Sequence, residues 1–184
     1  MEDEATYNRL ACNPTYKFKK ALSELLDEGS ALGILNKKER AFLVPSAPRI
    51  PIMYYLPKIH KSLENPPGRP IISGIDSITS RIGKYIDEFL QPLVTQTPSY
   101  LRDTTQVLNL LSETVWREGY IMATADVNSL YTIISHEQGL EAVRFYLQGD
   151  SSLGILQKDF IINLIAFATT HNYFWFDGNY FLQK

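Results

Sequence analysis

Residues Gln157 to Thr170 are apolar around most of a helical circumference, so this segment has almost no face to give to water. Such a helix must lie inside a core with other elements packed on several sides. The residues that follow change period at once. Phe174-Trp175-Phe176 and Tyr180-Phe181-Leu182 flank Asp177-Gly178-Asn179, the pattern of two short strands joined by an Asp-Gly turn. A buried helix running into a β-hairpin restricts the chain to folds that mix helices with antiparallel strands, and the expected class is α+β. No further helix or strand follows the hairpin before Lys184, which gives the expectation of a domain cut short.

Patterning upstream supplies partners for that helix. Asn13-Pro14 opens a helix with the stripe Phe18, Leu22, Leu25 and Leu26, ended by Gly29, and with Lys17, Lys19 and Lys20 on a solvated face. A short helix is expected from Lys37 to Leu43, followed by an extended connector at Pro45, Pro48 and Pro51. Ile52-Met53-Tyr54-Tyr55-Leu56 and Arg69-Pro70-Ile71-Ile72-Ser73-Gly74 read as strands of a long hairpin, with Pro66-Pro67-Gly68 in the loop between them. Ser77 or Thr79 caps a helix whose apolar face is Ile78, Ile82, Tyr85, Ile86, Phe89, Leu90 and Leu93. Asp103 and Gln106 have capping-box spacing for a helix that buries Val107, Leu110 and Leu111. Ser135 and Gln138 do the same for a helix through about Gln148. Between these two helices, Tyr120-Ile121-Met122-Ala123 has the composition of a buried strand, and it delivers Asp126 at its end.

Composition narrows the chemistry. The 184 residues suit one domain with a substantial core, and 45% apolar residues argue against disorder. Eighteen basic and twenty acidic residues leave a net charge of −2, so no global basic field exists and any nucleic-acid surface must be local. One such place stands out. From Arg49 to Arg69 the charged residues are Arg49, Lys58, Lys61 and Arg69 against Glu64 alone. A single cysteine, Cys12, excludes an intramolecular disulfide and a cysteine-based zinc site, and fits a reducing compartment. His60, His136 and His171 show no metal-ligand spacing. The acidic start Met1-Glu2-Asp3-Glu4 is unlike a secretory signal, and the apolar run Phe160 to Ala168 is broken by Asn163 and too short to span a bilayer. The expectation is a soluble intracellular protein of nucleus or cytoplasm, with no membrane partner.

Asp126 is the one carboxylate worth setting apart. An Asp between a strand and a turn is commonly turn chemistry or a helix cap. On a rigid strand end it is also well placed to ligate a divalent cation, because Mg2+ prefers oxygen ligands and binds through one or two carboxylates plus substrate phosphates. Asp177, by contrast, belongs to its turn.

Three segments taken in order, Leu56-Pro57-Lys58-Ile59-His60-Lys61, Pro67-Gly68-Arg69-Pro70-Ile71-Ile72-Ser73-Gly74 and Asp126-Val127-Asn128-Ser129-Leu130-Tyr131-Thr132, resemble the reverse transcriptase domain of retroelements, most closely the Penelope-like group. The first two look like fingers motifs, and the third looks like the first catalytic motif of the palm. The resemblance implies a partial right-hand polymerase. Residues 1–51 would be a helical region and linker, and residues 52–184 an incomplete reverse transcriptase domain, with fingers over about 52–115 and the start of the palm over about 116–184.

It also implies an RNA-directed DNA polymerase using two Mg2+ ions, with an RNA template, a DNA primer and deoxynucleotides as partners. Asp126 would be the catalytic carboxylate on both ions, and Val127 would offer its backbone carbonyl to one of them. Tyr131 would lie under the incoming sugar and exclude a 2′-hydroxyl. Arg69, with Lys58 or Lys61, would neutralise the triphosphate, and Arg49, Lys58 and Lys61 would track the nucleic-acid backbone. The plainer alternatives are a core aromatic for Tyr131, a surface ion pair with Glu64 for Arg69, and solvated loop charges for Lys58 and Lys61.

The sequence departs from the family at two places. Tyr131-Thr132-Ile133-Ile134 stands where members usually continue Tyr-Thr-Asn-Ile, and no Asp-Asp pair occurs anywhere in the chain. One carboxylate leaves two divalent ions poorly neutralised, so the expectation is a polymerase fragment inactive alone. The alternative is a non-catalytic nucleic-acid-binding remnant of a retroelement.

Overall fold

The computed structural model describes residues 6–127, 130 and 134–184. Among these it is an α+β fold with six helices and two small antiparallel sheets. In chain order the elements are β1 (Tyr7–Leu10), α1 (Thr15–Ala31), α2 (Lys37–Leu43), β2 (Met53–Pro57), β3 (Gly68–Ile72), α3 (Ser80–Thr95), α4 (Thr104–Glu113), α5 (His136–Gly149), α6 (Ile155–Thr170), β4 (Tyr173–Phe176) and β5 (Asn179–Gln183).

Helix α6 is the centre that its all-round apolar character demands. Phe160, Leu164 and Phe167 join Phe18, Leu22 and Leu26 of α1, Leu43 of α2 and Ile82 and Ile86 of α3 in the main core. Its next positions, Ile161 and Ile162, pack with Leu147 of α5 beside Phe89 and Leu93 of α3. Each fully buried aliphatic side chain contributes about 1.5–3 kcal/mol, so this contact set decides the stability of the molecule. Residues from 1–51 and from the remainder of the chain interleave in that one cluster.

The hairpin β4–β5 turns on Asp177 and Gly178, both at positive φ (45° and 76°), as a two-residue turn matched to strand twist requires. Strand β1 pairs antiparallel with β5 from Tyr7↔Gln183 to Leu10↔Tyr180, giving the order β1-β5-β4. On the other edge, the Trp175 amide donates to the Pro51 carbonyl at 2.8 Å, which brings the start of β2 alongside β4.

Three expectations are corrected. Gly29 does not end α1, which runs on to Ala31, and the chain reverses instead at Gly33 (φ 73°). Gly29 is buried because the Phe160 ring lies where its Cβ would be. Helix α4 forms with its expected cap, the Asp103 carboxylate accepting from the Gln106 amide at 2.9 Å. It buries none of its residues, however, and Leu110 and Leu111 are exposed. Finally, Tyr120 to Ala123 is not a strand. Ile121 is 89% exposed and Met122 66%, so the apolar run that was to deliver Asp126 on a rigid strand end has no sheet to enter.

Candidate nucleic-acid interface

The basic hairpin expected from sequence is present. Strands β2 and β3 pair from Met53↔Ile72 to Pro57↔Gly68, and the Lys58 amide extends the ladder by donating to the Pro67 carbonyl at 2.9 Å. Lys61 N–H then donates to the Lys58 carbonyl at 2.9 Å, which closes a tight turn and keeps both lysines at the hairpin tip. Two motifs that lie apart in sequence are thereby brought side by side, since Leu56 faces Arg69.

Alternation along a strand assigns the two faces. Met53, Tyr55 and Ile72 point one way. Met53 and Ile72 pack with Phe174, Phe181, Tyr7 and Phe176, and Tyr55 sets its ring edge-on to Phe176 at 6.0 Å. Gly68 belongs to this face for a steric reason, because a Cβ there would meet the Tyr55 ring at 2.8 Å. The opposite face carries Tyr54, Leu56, Arg69 and Ile71, of which Tyr54 and Leu56 are exposed, as Tyr55 also is, while Ile71 is half-buried.

The candidate cations are free to act. None of Lys58, Lys61 and Arg69 is ion-paired with another described residue, so the Arg69–Glu64 alternative does not form. Arg49 is engaged elsewhere. Its amide donates to the Asp76 carbonyl at 2.8 Å, and its guanidinium lies 3.7 Å from the Asp76 carboxylate, both side chains being largely exposed. An exposed pair of that length contributes about 0–1 kcal/mol, so it orients Arg49 weakly. Arg49 also lines a polar cavity of about 260 Å3 with Ser46, Asp76, Ser77, Ser80 and Arg81. Asp76 holds φ 56°, and the Gly74-Ile75-Asp76 stretch is the signal that points to such a turn.

The expected metal ligands fare differently. Asp126 and Val127 are exposed, on a segment that is neither helix nor strand. Tyr131 lies outside the described residues, together with Asn128, Ser129, Thr132 and Ile133 of the same motif. Among the described residues no three His, Cys, Asp or Glu side chains group as metal ligands, and Asp126 forms no ion pair with another described residue. One exposed carboxylate and a neighbouring carbonyl do not fit a site for two Mg2+ ions, which need several fixed oxygen ligands.

Sequence reading did not separate Tyr54 from Tyr55. In the run Met53-Tyr54-Tyr55-Leu56 both tyrosines look alike, and only the pairing partner tells them apart. Gly68, opposite the strand end, is the available signal that one of them lies flat across the ribbon.

No helix among the described residues is long and apolar enough to cross a membrane. Comparison of the chain with protein-family models, with curated proteins and with solved structures finds no match.

Proposed function

We propose that the chain carries the fingers and the beginning of the palm of an RNA-directed DNA polymerase resembling the Penelope-like group. In this reading it binds nucleic acid through the β2–β3 hairpin and does not polymerise by itself. The observation that supports the reading is the register of that hairpin, which sets Arg69 opposite Leu56 and next to the Lys58–Lys61 turn. Arg69 offers a planar fork of donors to a phosphate, and Lys58 and Lys61 add point charges. In a bound complex Arg69, with Lys58 or Lys61, meets the phosphates of an incoming deoxynucleotide, while Arg49, Lys58 and Lys61 follow the template and primer backbone. Tyr131 tests the sugar.

Asp126 would supply one carboxylate toward Mg2+ and Val127 one carbonyl, a partial ligand set only. The chain has no Asp-Asp pair to complete that ligand set, so no catalytic step is assigned to these residues alone. Primer extension on an RNA template with Mg2+ and deoxynucleotides is expected to give no product. Extension that Asp126→Ala abolishes would overturn the claim.

The exposed position of Asp126, off any strand, favours a second reading in which the chain is a non-catalytic nucleic-acid-binding remnant. Gel shifts with an RNA–DNA hybrid separate the two. Under the second reading Lys58→Ala, Lys61→Ala and Arg69→Ala weaken binding, and Asp126→Ala leaves it unchanged with or without Mg2+. Under the first, Asp126→Ala removes a Mg2+-dependent gain in binding of a deoxynucleotide.

A further inference from the structure

The two adjacent tyrosines of β2 have different fates. Tyr55 lies across Gly68 against Phe176 and holds the hairpin to the three-stranded sheet. Tyr54 is exposed to about the same degree as Tyr55 (48% against 50%), but unlike Tyr55 it makes no ring contact and no side-chain hydrogen bond with another described residue. Its cross-strand partner is Ile71, and the next pair along is Leu56↔Arg69, so Tyr54 and Arg69 are diagonal neighbours on the same face. Diagonal positions on a ladder lie about 7–8 Å apart, within reach of an aromatic and a long cation.

We infer that Tyr54 is a stacking platform for a base of single-stranded nucleic acid, with Arg69 beside it taking a backbone phosphate when no deoxynucleotide occupies it. The inference rests on the nucleic-acid reading of the hairpin and extends it from charge to base contact. Charge complementarity selects this occupant. The ribbon and its approach carry Arg49, Lys58, Lys61 and Arg69 against Glu64 in a chain whose net charge is −2. An exposed ring within a basic strip is the combination that binds single strands without sequence preference, because every base offers a π-face and every nucleotide a phosphate. Ile71 and Leu56 flank the ring and give the base an apolar seat.

The test is fluorescence anisotropy with the full chain and two labelled probes, a twelve-nucleotide oligouridylate and an abasic oligomer of the same length. Tyr54→Ala is expected to weaken oligouridylate binding about tenfold, to leave the salt dependence of affinity unchanged, and to leave abasic binding unchanged. Tyr54→Phe keeps the ring and restores binding. Arg69→Ala weakens both probes and lowers the slope of log affinity against log salt by about 0.7. If Tyr54→Ala binds oligouridylate as well as the parent while Arg69→Ala does not, the platform is refuted and the basic hairpin stands. If neither change matters, or the parent chain binds neither probe, the hairpin reading falls and the platform falls with it. Thermal melts of each variant confirm that the fold is intact, as expected for exposed positions.

Discussion

Helix α6 with its following hairpin and the stretch from Thr104 to Val127 are both rich in large apolar side chains, yet only one of them builds a core. In the first, Leu164, Ile161, Tyr173 and Phe174 are essentially inaccessible to water. In the second, Leu108, Leu110, Val115, Trp116, Ile121 and Met122 are all exposed. The local chemistry is sound in both. Asp103 caps α4, and its carboxyl lies below the ordinary range because it accepts from Gln106 N–H and from Arg102. The difference is one of partners. Helix α6 meets α1, α3 and α5 around its circumference, whereas nothing described covers the apolar side of α4 or of residues 120–123. Hydrophobicity in a sequence states that a surface needs covering and does not name what covers it.

Substitutions can break this contrast, beginning with truncation at its two poles. Leu164→Ala should lower unfolding free energy by about 2–5 kcal/mol, because the cavity opens at the centre of three helices. Ile121→Ala should change it by less than about 0.5 kcal/mol. Urea denaturation measures both, and equal costs would mean that residues 120–123 are buried in solution. Next in size, Gly29→Ala should cost about 1–3 kcal/mol, since the new Cβ collides with the Phe160 ring. Phe160→Leu in the same chain should recover part of that loss, a coupling that a double-mutant cycle detects.

Caps sharpen the contrast at smaller scale. Asn36 accepts from the amides of Lys38 and Glu39 and anchors α2, whose Leu43 is fully buried. Asn36→Ala should therefore cost about 1 kcal/mol of global stability. Asp103→Ala should leave the unfolding midpoint in place and abolish amide protection within α4 alone, read by hydrogen exchange.

The smallest effect is on pH. Burial holds the His171 imidazole below its ordinary pKa, with Lys17 acting in the same direction and the Phe167 carbonyl opposing. Its ring stacks on Phe167 at 4.0 Å and meets Phe18 edge-on at 4.5 Å. The folded state prefers neutral His171, so this contribution is complete above the unfolded pKa near about 6.5 and declines as pH falls through the window below it. Melting temperature should drop from pH 7.5 to pH 5.5, and by less in His171→Phe.

Much of the packed half was legible. The period of α6, the Asp-Gly turn, the Ser135–Gln138 capping box and the β2–β3 ribbon are local signals, and each is where the pattern puts it. What escaped depends on distance. Tyr7-Asn8-Arg9-Leu10 is too short and too polar to announce a strand, and its partner is β5. Gly29 carries the sign of a helix stop, but it is there to admit a ring from α6. For the candidate site, residue types gave the basic ribbon, while the division of Tyr54 from Tyr55 follows from register. The strand expected before Asp126 failed because a strand is defined by its neighbour.

The pairing of β1 with β5 also sets a timetable. Arg9 and Asn179, which hydrogen-bond across these strands, are 170 residues apart in the chain. A ribosome adding about 5–20 residues per second needs roughly ten to thirty seconds to cover that interval. Throughout it the nascent strand Tyr7–Leu10 has no mate, and α1 awaits the Phe160 ring that Gly29 receives. Closure of so long a loop raises the contact order and makes this sheet a late event, so chaperone demand during synthesis should concentrate on the first elements made rather than the last.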